Sequence, residues 1–578
     1  MTALEKAAAI AVEKHPRLQD KTITYGTAGF RTKAEDLDHV MYRMGLLAVL
    51  ASQARKATIG VMITASHNPE EDNGVKLIDT FGEMMPPVWE KYATELANTT
   101  DPGIPASLKS IIDAEKIDTS VPGNVFVAKD TRASSPSLAQ AVQDGVAAIG
   151  GKSKDYGLLT TPQLHFMVCC TNTQGAYGIA TEEGYYDKLT TAFKKLQTDS
   201  ETKGSYSRQL YVDAANGVGA PKVKLLQGRL GDLLQLHITN DGSQGKLNHR
   251  CGADFVKVQQ QGPDGLKVEP SMRCASFDGD ADRIVFFYLD KQKTFHLLDG
   301  DKIATLVAGY LQELVKGSGL TLNLGLVQTA YANGSSTDFI TNVMKVPVAC
   351  VPTGVKHLHH RAQEFDIGVY FEANGHGTVL FSKGAREAIT KQSESTSIPE
   401  EQQKLANTLA NTMDVINQTV GDAISDMLLV ETILARRGWD SEDWDAMYAD
   451  LPNRQIKIKV KDRAVVETRL TLDGDTCHQV KDRVVVETRL TLDGDTCHQV
   501  KDRTVVETQL TLDGDTCHQV KDRAVVETRL TLDGDTCHQV KDRVVVETQL
   551  TLDGDTCHQV KDRVVVETQL TLDGDTCH

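Results

Sequence analysis

Residues Val61–Lys76 read VMITASHNPEEDNGVK. Val61–Thr64 is a short apolar run that delivers Ser66 into a loop of His67, Asn68 and Pro69, followed by Asn73, Gly74 and Lys76. An apolar strand that runs straight into a polar loop is the pattern of α/β sheets, in which ligands sit beyond the strand C-termini. A serine nucleophile needs exposure, a local positive field and a route for its proton. His67 and Lys76 could supply the last two. Taken alone, SHNP reads first as a polar turn, because Ser, Asn and Pro are common turn formers.

The same pattern extends in both directions. TIGVMIT, NVFVAKD, LYVDAAN, NLGLVQTAY, VPVACV and IGVYFEA read as buried strands. SPSLAQAVQDGVAAIG and DKIATLVAGYLQELVK read as helices following such strands. MTALEKAAAIAVEKHPRL carries acidic residues and reads as an amphipathic helix, not a signal peptide. Up to about residue 455 the expectation is therefore an α/β body of mixed sheets. The 578 residues suffice for roughly three to four domains. An apolar content of 40% is ordinary for globular cores, and the net charge of -17 argues against a nucleic-acid or membrane-surface partner. There is no apolar run long enough to span a bilayer. Outside the C-terminal repeats the cysteines are Cys169, Cys170, Cys251, Cys274 and Cys350, without paired zinc spacing. Reduced thiols in a cytoplasmic protein are expected.

FDGDADR is the second chemical signal. Asp278, Asp280 and Asp282 alternate with glycine and alanine, and an extended or tightly looped backbone would bring all three carboxylates to one side. Clustered carboxylates repel, so a cation is the natural compensation, and all-oxygen ligation favours Mg²⁺. Arg283 would lie beside it and could hold a phosphate through two bonds. The third signal is FEANGHG. Glu372 and Asn374 would project the same way on an extended backbone and read sugar hydroxyls, with His376 as a proton shuttle. Upstream, PTGVKHLHH offers Lys356 and His357 to an anion, and TYGTAGFR adds a glycine-rich turn and Arg31.

GTAGFR, TASHNP, DGDADR and EANGH stand in the order of the α-D-phosphohexomutase superfamily. The chain resembles in particular its phosphoacetylglucosamine mutase branch. KDTRAS follows the serine loop instead of preceding it, as is typical of that branch. DYGLLTTPQLH, GKLNHRCGADFVK, QTAYANGSST and TGVKHLHH are similar too, so the resemblance covers roughly four-fifths of the chain. It implies that N-acetylglucosamine 6-phosphate and 1-phosphate are interconverted through a phosphoserine at Ser66 and a 1,6-bisphosphate, on the way to UDP-N-acetylglucosamine. It implies Mg²⁺ held by Asp278, Asp280, Asp282 and an oxygen at Ser66, with N-acetylglucosamine 1,6-bisphosphate or glucose 1,6-bisphosphate as activator. Ser66, His67, Lys76, Arg31 and His376 would be catalytic. Arg283, Thr353, Gly354, Lys356, His357, Glu372 and Asn374 would bind substrate. The expected domains are 1–178 with the serine loop, 179–293 with the metal loop and 294–455 with the sugar loop. A monomer acting on a small sugar phosphate is expected. The competing readings are a mutase for glucose or mannose phosphates, and a non-catalytic, repeat-bearing binding protein on a mutase body.

The resemblance ends at the C-terminus. Residues 456–578 hold the start of a fourth domain, then six 20-residue repeats of the type VKDRAVVETRLTLDGDTCHQ. Within a unit, Val466, Thr468, Leu470 and Leu472 alternate with polar residues, and Asp-Gly follows as a turn signal. The tail is expected to be β-prone, as a meander or solenoid, or disordered. Its recurring Cys and His suit no single metal well. The superfamily's RPSGTE-like loop for the distal phosphate does not occur in this sequence. Each lost charge-assisted bond costs about 1.5–3 kcal/mol, so turnover is expected to be impaired by roughly 10³-fold or more. Of the eight Asp-Gly-Asp triplets, one then reads as a metal site, six as turns, and Asp299–Asp301 as a helix cap.

Overall fold

The computed structural model describes residues 2–18, 21–26, 29–198 and 204–451, together with short strands within 472–577. Thr27 and Ala28 of the glycine-rich turn, the expected start of a fourth domain at 456–471, and Gly474, Asp475 and His478 with their repeat equivalents lie outside the described residues. The chain divides into a body, Met1–Asn453, and a tail, Arg454–His578.

The body contains three mixed sheets built to one plan. In the first, Ile59–Ile63 is fully buried, pairs in parallel with Asn124–Lys129 and antiparallel with Asp72–Ile78. Phe30–Lys33 and Lys152–Leu158 form its edges. In the second, Cys274–Phe277 pairs in parallel with Gln209–Asp213 and antiparallel with Ile284–Leu289. In the third, Ile367–Phe371 pairs in parallel with Leu324–Thr329 and antiparallel with Gly377–Phe381. Each central strand is buried on both faces, as its unbroken apolar run requires. Each then turns back through a short loop into its antiparallel neighbour. The loops at 64–71, 278–283 and 372–376 thus occupy the same topological position in three sheets.

Strand Phe295–Leu298 pairs antiparallel with Ile284–Leu289 at the edge of the second sheet. The expected boundary at 293/294 cuts that sheet, so the second unit extends to Leu298. The next residue, Asp299, caps the helix Gly300–Gly317, accepting from the amides of Asp301 at 3.0 Å and Lys302 at 3.4 Å. Capping supplies an acceptor to amides that have no intrahelical partner, so this second Asp-Gly-Asp is a helix start, as expected. Thr2 and Thr160 cap the helices Ala3–Lys14 and Thr161–Asn172, each accepting from the amide of the third helical residue and donating its own amide to that residue's side chain.

The core of the second and third sheets is continuous. It includes Phe277, Phe286, Val369 and Phe371 from the strands and Leu306, Leu428 and Trp444 from the helices, and it reaches Met62 and Ile78 of the first sheet. Close packing of this kind transmits little slack, which fixes the three loops relative to one another.

In the tail, equivalent segments of successive 20-residue units pair with one another. Val505–Asp513, Val525–Asp533 and Val545–Asp553 pair in parallel, with Leu510 opposite Leu530 and Leu530 opposite Leu550. Units contribute in turn to three parallel sheets.

Candidate active site

Ser66 lies at the tip of the first loop with φ of 53°, a left-handed conformation uncommon for any residue but glycine and costly enough to need support. Its amide donates to Thr64 Oγ1 at 2.9 Å. Its carbonyl accepts from Arg132 Nη2 at 3.1 Å and from Asn248 Nδ2 at 2.8 Å. Serine chemistry suggested an exposed residue, yet Ser66 is buried, because the second loop packs directly over it. The hydroxyl donates to Asp278 Oδ2 at 2.6 Å. His67 Nε2 lies 3.8 Å from Asp254 Oδ2.

Asp278, Asp280 and Asp282 converge through a tight loop. The amide of Ala281, itself at φ 57°, donates to the carbonyl of Asp278 at 3.1 Å. One carboxylate oxygen from each aspartate lies within 4.8 Å of the others, and all three side chains are buried. Lys76 Nζ reaches Asp280 Oδ2 at 2.9 Å and Asp282 Oδ2 at 2.6 Å. Thr161 Oγ1 donates to Asp280 Oδ2 at 2.5 Å. Burial, with the charges of Asp282 and Asp280, pushes Asp278 well above the usual carboxylate range. Burial also opposes ionisation of Asp280 and Asp282, but Lys76 overrides it and holds both below their ordinary values, with His376 assisting at Asp282. One ammonium therefore balances two of three buried carboxylates. Asp280 Oδ1 and Asp282 Oδ1 are buried without a hydrogen-bond donor. Two orphaned oxygens beside a third carboxylate fit a hard divalent cation.

Arg283 is shared between loops. Its Nη1 holds Asp254 Oδ1 at 2.9 Å, and its Nε lies 3.7 Å from Asp282 Oδ1 and 3.9 Å from Asp278 Oδ2. Arg31, opposite Gly74 on the edge strand, completes the positive rim. Burial and the neighbouring Arg283 lower its pKa, while the three aspartates act in the opposite sense.

The third loop is a turn, not the extended backbone that the Glu372/Asn374 alternation suggested. The amide of Gly375 donates to the carbonyl of Glu372 at 2.9 Å. Even so, Asn374 Nδ2 donates to Glu372 Oε2 at 3.3 Å, so the two side chains meet by curvature. His376 Nδ1 bonds the carbonyl of Asp282 at 2.7 Å, which ties the third loop to the second. Thr353, Gly354, Lys356 and His357 are not drawn into this cluster. They lie at the start of the helix Val355–Ala362, where Lys356 Nζ pairs with Glu90 Oε2 at 2.8 Å and His357 is exposed.

Several contributors escaped sequence reading. Arg132 and Asn248 were visible only as members of KDTRAS and GKLNHRCGADFVK, with no hint that both grip the serine loop. Thr161 follows a recognisable capping threonine, but its contact with Asp280 spans 119 residues. Gly421 packs where a side chain would meet His376 Nδ1 and the carbonyl of Asp282, and Ala423 N bonds the carbonyl of Ala281 at 3.1 Å.

Known proteins are similar to this chain. Residues 27–102 and 110–180 match the family described as phosphoglucomutase/phosphomannomutase, alpha/beta/alpha domain I. Residues 175–285 and 299–439 match phosphoacetylglucosamine mutase AMG1, domains II and III. The chain is 55% identical to the phosphoacetylglucosamine mutase of Homo sapiens over 462 residues, 79% of this chain and 85% of that protein. It is 44% identical to the phosphoacetylglucosamine mutase of Saccharomyces cerevisiae over 476 residues, 78% of this chain and 85% of that one. Among solved structures it is similar to Aspergillus fumigatus N-acetylphosphoglucosamine mutase in complex with GlcNAc-6P and magnesium. That likeness has 46% identity and a TM-score of 0.75, and covers 81% of this chain and 87% of that one. A serine-to-alanine variant of the same enzyme with glucose 1,6-bisphosphate matches with a TM-score of 0.77 at 45% identity, over 81% of this chain and 86% of that one.

Proposed function

The chain belongs to the phosphoacetylglucosamine mutase family, and from that premise we propose that Ser66 is the residue that carries the phosphate. The family's reaction interconverts N-acetylglucosamine 6-phosphate and N-acetylglucosamine 1-phosphate, a phosphohexomutase isomerisation that uses Mg²⁺ and a sugar 1,6-bisphosphate. The observation that carries the proposal is the bond from Ser66 Oγ to Asp278. It places the acceptor hydroxyl at the edge of a buried carboxylate cluster with two orphaned oxygens.

Asp278, Asp280 and Asp282 would hold Mg²⁺, together with an oxygen at Ser66. When bound, the ion supplies neutralisation of the charge on the transferring phosphoryl group. The chain's own residues do the rest. Lys76 holds Asp280 and Asp282 ionised. Asp278 stands at hydrogen-bond distance to accept the Ser66 proton when the hydroxyl attacks. Arg31 and Arg283 face the incoming phosphate with positive charge, and burial in a water-poor site strengthens each of these interactions. Glu372 and Asn374 present a carboxylate and an amide that can grip sugar hydroxyls in either orientation of the bisphosphate. His376, bonded to the Asp282 carbonyl, would serve as a proton shuttle. Thr353, Gly354, Lys356 and His357 belong to this reading as phosphate-facing groups at a helix start, with Lys356 exchanging Glu90 for substrate. The reading keeps the protein a cytoplasmic monomer, where Cys169, Cys170, Cys251 and Cys274 stay free and buried. Among the described residues no helix is long and apolar enough to cross a membrane.

The test is phosphate uptake. Purified chain incubated with Mg²⁺ and glucose 1,6-bisphosphate gains one phosphate by intact mass, and Ser66→Ala gains none. Uptake by the alanine variant would overturn the assignment. The distal phosphate lacks its RPSGTE-like loop in this sequence, so steady-state turnover falls roughly 10³-fold or more below that of a relative possessing it. Turnover equal to that relative's would remove this part of the reading.

A further inference from the structure

The backbone of the serine loop is gripped from two sides. Arg132 Nη2 donates to the carbonyls of Ser66 at 3.1 Å and Asn68 at 2.8 Å. Asn248 Nδ2 donates to the same two carbonyls, at 2.8 Å and 3.0 Å. Arg132 comes from the first sheet, after strand Asn124–Lys129, and is locked there by a buried ion pair with Asp130. Asn248 comes from the second unit, in the left-handed conformation at φ 55°, with its amide bonded to the carbonyl of Ala215 at 3.0 Å. Gly279 of the aspartate loop closes the third side. A β-carbon there would stand 2.6 Å from the carbonyl of Ser66 and 2.8 Å from Asn248 Nδ2.

We infer that Asn248 is a positioning residue for phosphoryl transfer, acting by holding the left-handed Ser66 peptide so that its Oγ points at Asp278. Neither the Ser66 nor the Asn68 carbonyl belongs to a strand ladder, and a serine at φ 53° gains nothing from local preference. Turning the Ser66 peptide would swing Oγ away from Asp278 and from the line of attack. Arg132 anchors the loop to its own sheet. Asn248 ties the loop's backbone to the unit that carries the aspartates, so its side-chain amide helps set the distance between carrier and carboxylates. In-line transfer depends steeply on such distances, and a displacement of about 1 Å costs about 100-fold in rate. This inference rests on the reading of Ser66 as carrier.

The test uses Asn248→Asp and Asn248→Gly. Both residues tolerate the left-handed backbone. Aspartate keeps the shape but turns an acceptor towards the two carbonyls, and glycine deletes the grip. Arg132 is a poorer probe, because its loss strands the buried Asp130. The full chain is mixed with glucose 1,6-bisphosphate and Mg²⁺, and the rate of phosphate appearance on Ser66 is followed by mass. Mg²⁺ affinity is measured by calorimetry, and thermal midpoints are recorded alongside. Both variants are expected to transfer about 10- to 100-fold more slowly, with the Mg²⁺ affinity of Asn248→Gly, which adds no charge, within about 2-fold of wild type. Transfer rates near wild type overturn the inference. So does a loss of transfer matched by loss of folded protein or of Mg²⁺ affinity, which would make Asn248 a general support. If wild-type Ser66 takes up no phosphate, the carrier reading falls and the inference with it.

Discussion

Lys76 Nζ stands 2.6 Å from Asp282 Oδ2, with both side chains more than nine-tenths buried. The pair crosses from the first sheet to the second loop, and Lys76 also reaches Asp280. Removing the ammonium would strand two buried carboxylates. Lys76→Met is expected to cost about 3–5 kcal/mol in Mg²⁺-free buffer. Added Mg²⁺ should restore a larger share of stability to the variant than to wild type, since the ion then supplies the missing charge. Thermal midpoints with Mg²⁺ and with a chelator measure this. Equal Mg²⁺ responses would contradict the charge balance described above.

Thr161 orients Asp280 by donating to Oδ2, which leaves Oδ1 for a cation. Outer partners of metal ligands typically contribute 10- to 100-fold in affinity. Thr161→Val should therefore weaken Mg²⁺ binding by about 10-fold or more in calorimetry, and Thr161→Ser, which keeps the donor, should stay near wild type. Indistinguishable affinities for all three proteins would show that the hydroxyl is only a local filler.

Gly375 has φ of +86°, and a β-carbon there would stand 1.9 Å from the carbonyl of Ile284. That carbonyl belongs to the strand leaving the aspartate loop, and Ile284 N bonds the carbonyl of Gly375 at 3.2 Å. Gly375→Ala must separate the second and third loops. A loss of about 3 kcal/mol or more in urea unfolding is expected. A midpoint unchanged by the substitution would mean that the approach is looser than described.

His39 is buried, and burial together with Arg43 and Arg17 lowers its pKa to about 4, with Asp101 and Asp38 opposing. Its folded pKa lies below the unfolded value of about 6.5. Above that value neither state binds the proton and its full contribution is present. As pH falls from 6.5 towards 4 the unfolded chain protonates first, so stability is lost across that window. His39→Gln should therefore lose about 2–3 kcal/mol less than wild type between pH 7 and 4.5. Urea titrations at both pH values give the comparison, and parallel losses would refute it.

Much of the fold could be read along the chain. IGVMI in TIGVMIT and IGVYF in IGVYFEA are unbroken apolar runs, and such runs become interior strands because both their faces are covered. Asp299 announced a helix because a carboxylate before an apolar period of 3.6 has amides to cap. Where the second sheet ends is not a local property: Phe295–Leu298 joins it through pairing with Ile284–Leu289, a contact with no trace in local composition.

For the site, the sequence by itself determined which residues could do chemistry: Ser66 in a polar loop after a strand, three alternating aspartates, and a carboxylate with an amide in FEANGHG. Those are properties of short segments, where spacing alone limits what the side chains can reach. Only the tertiary structure decided which of them meet. It set Ser66 against Asp278 and Lys76 against two aspartates, placed Arg132 and Asn248 on the serine backbone, and sent Lys356 to Glu90. Those contacts join residues from 66 to 266 positions apart. They exist because three sheets of one design share a packed core that brings equivalent loops together.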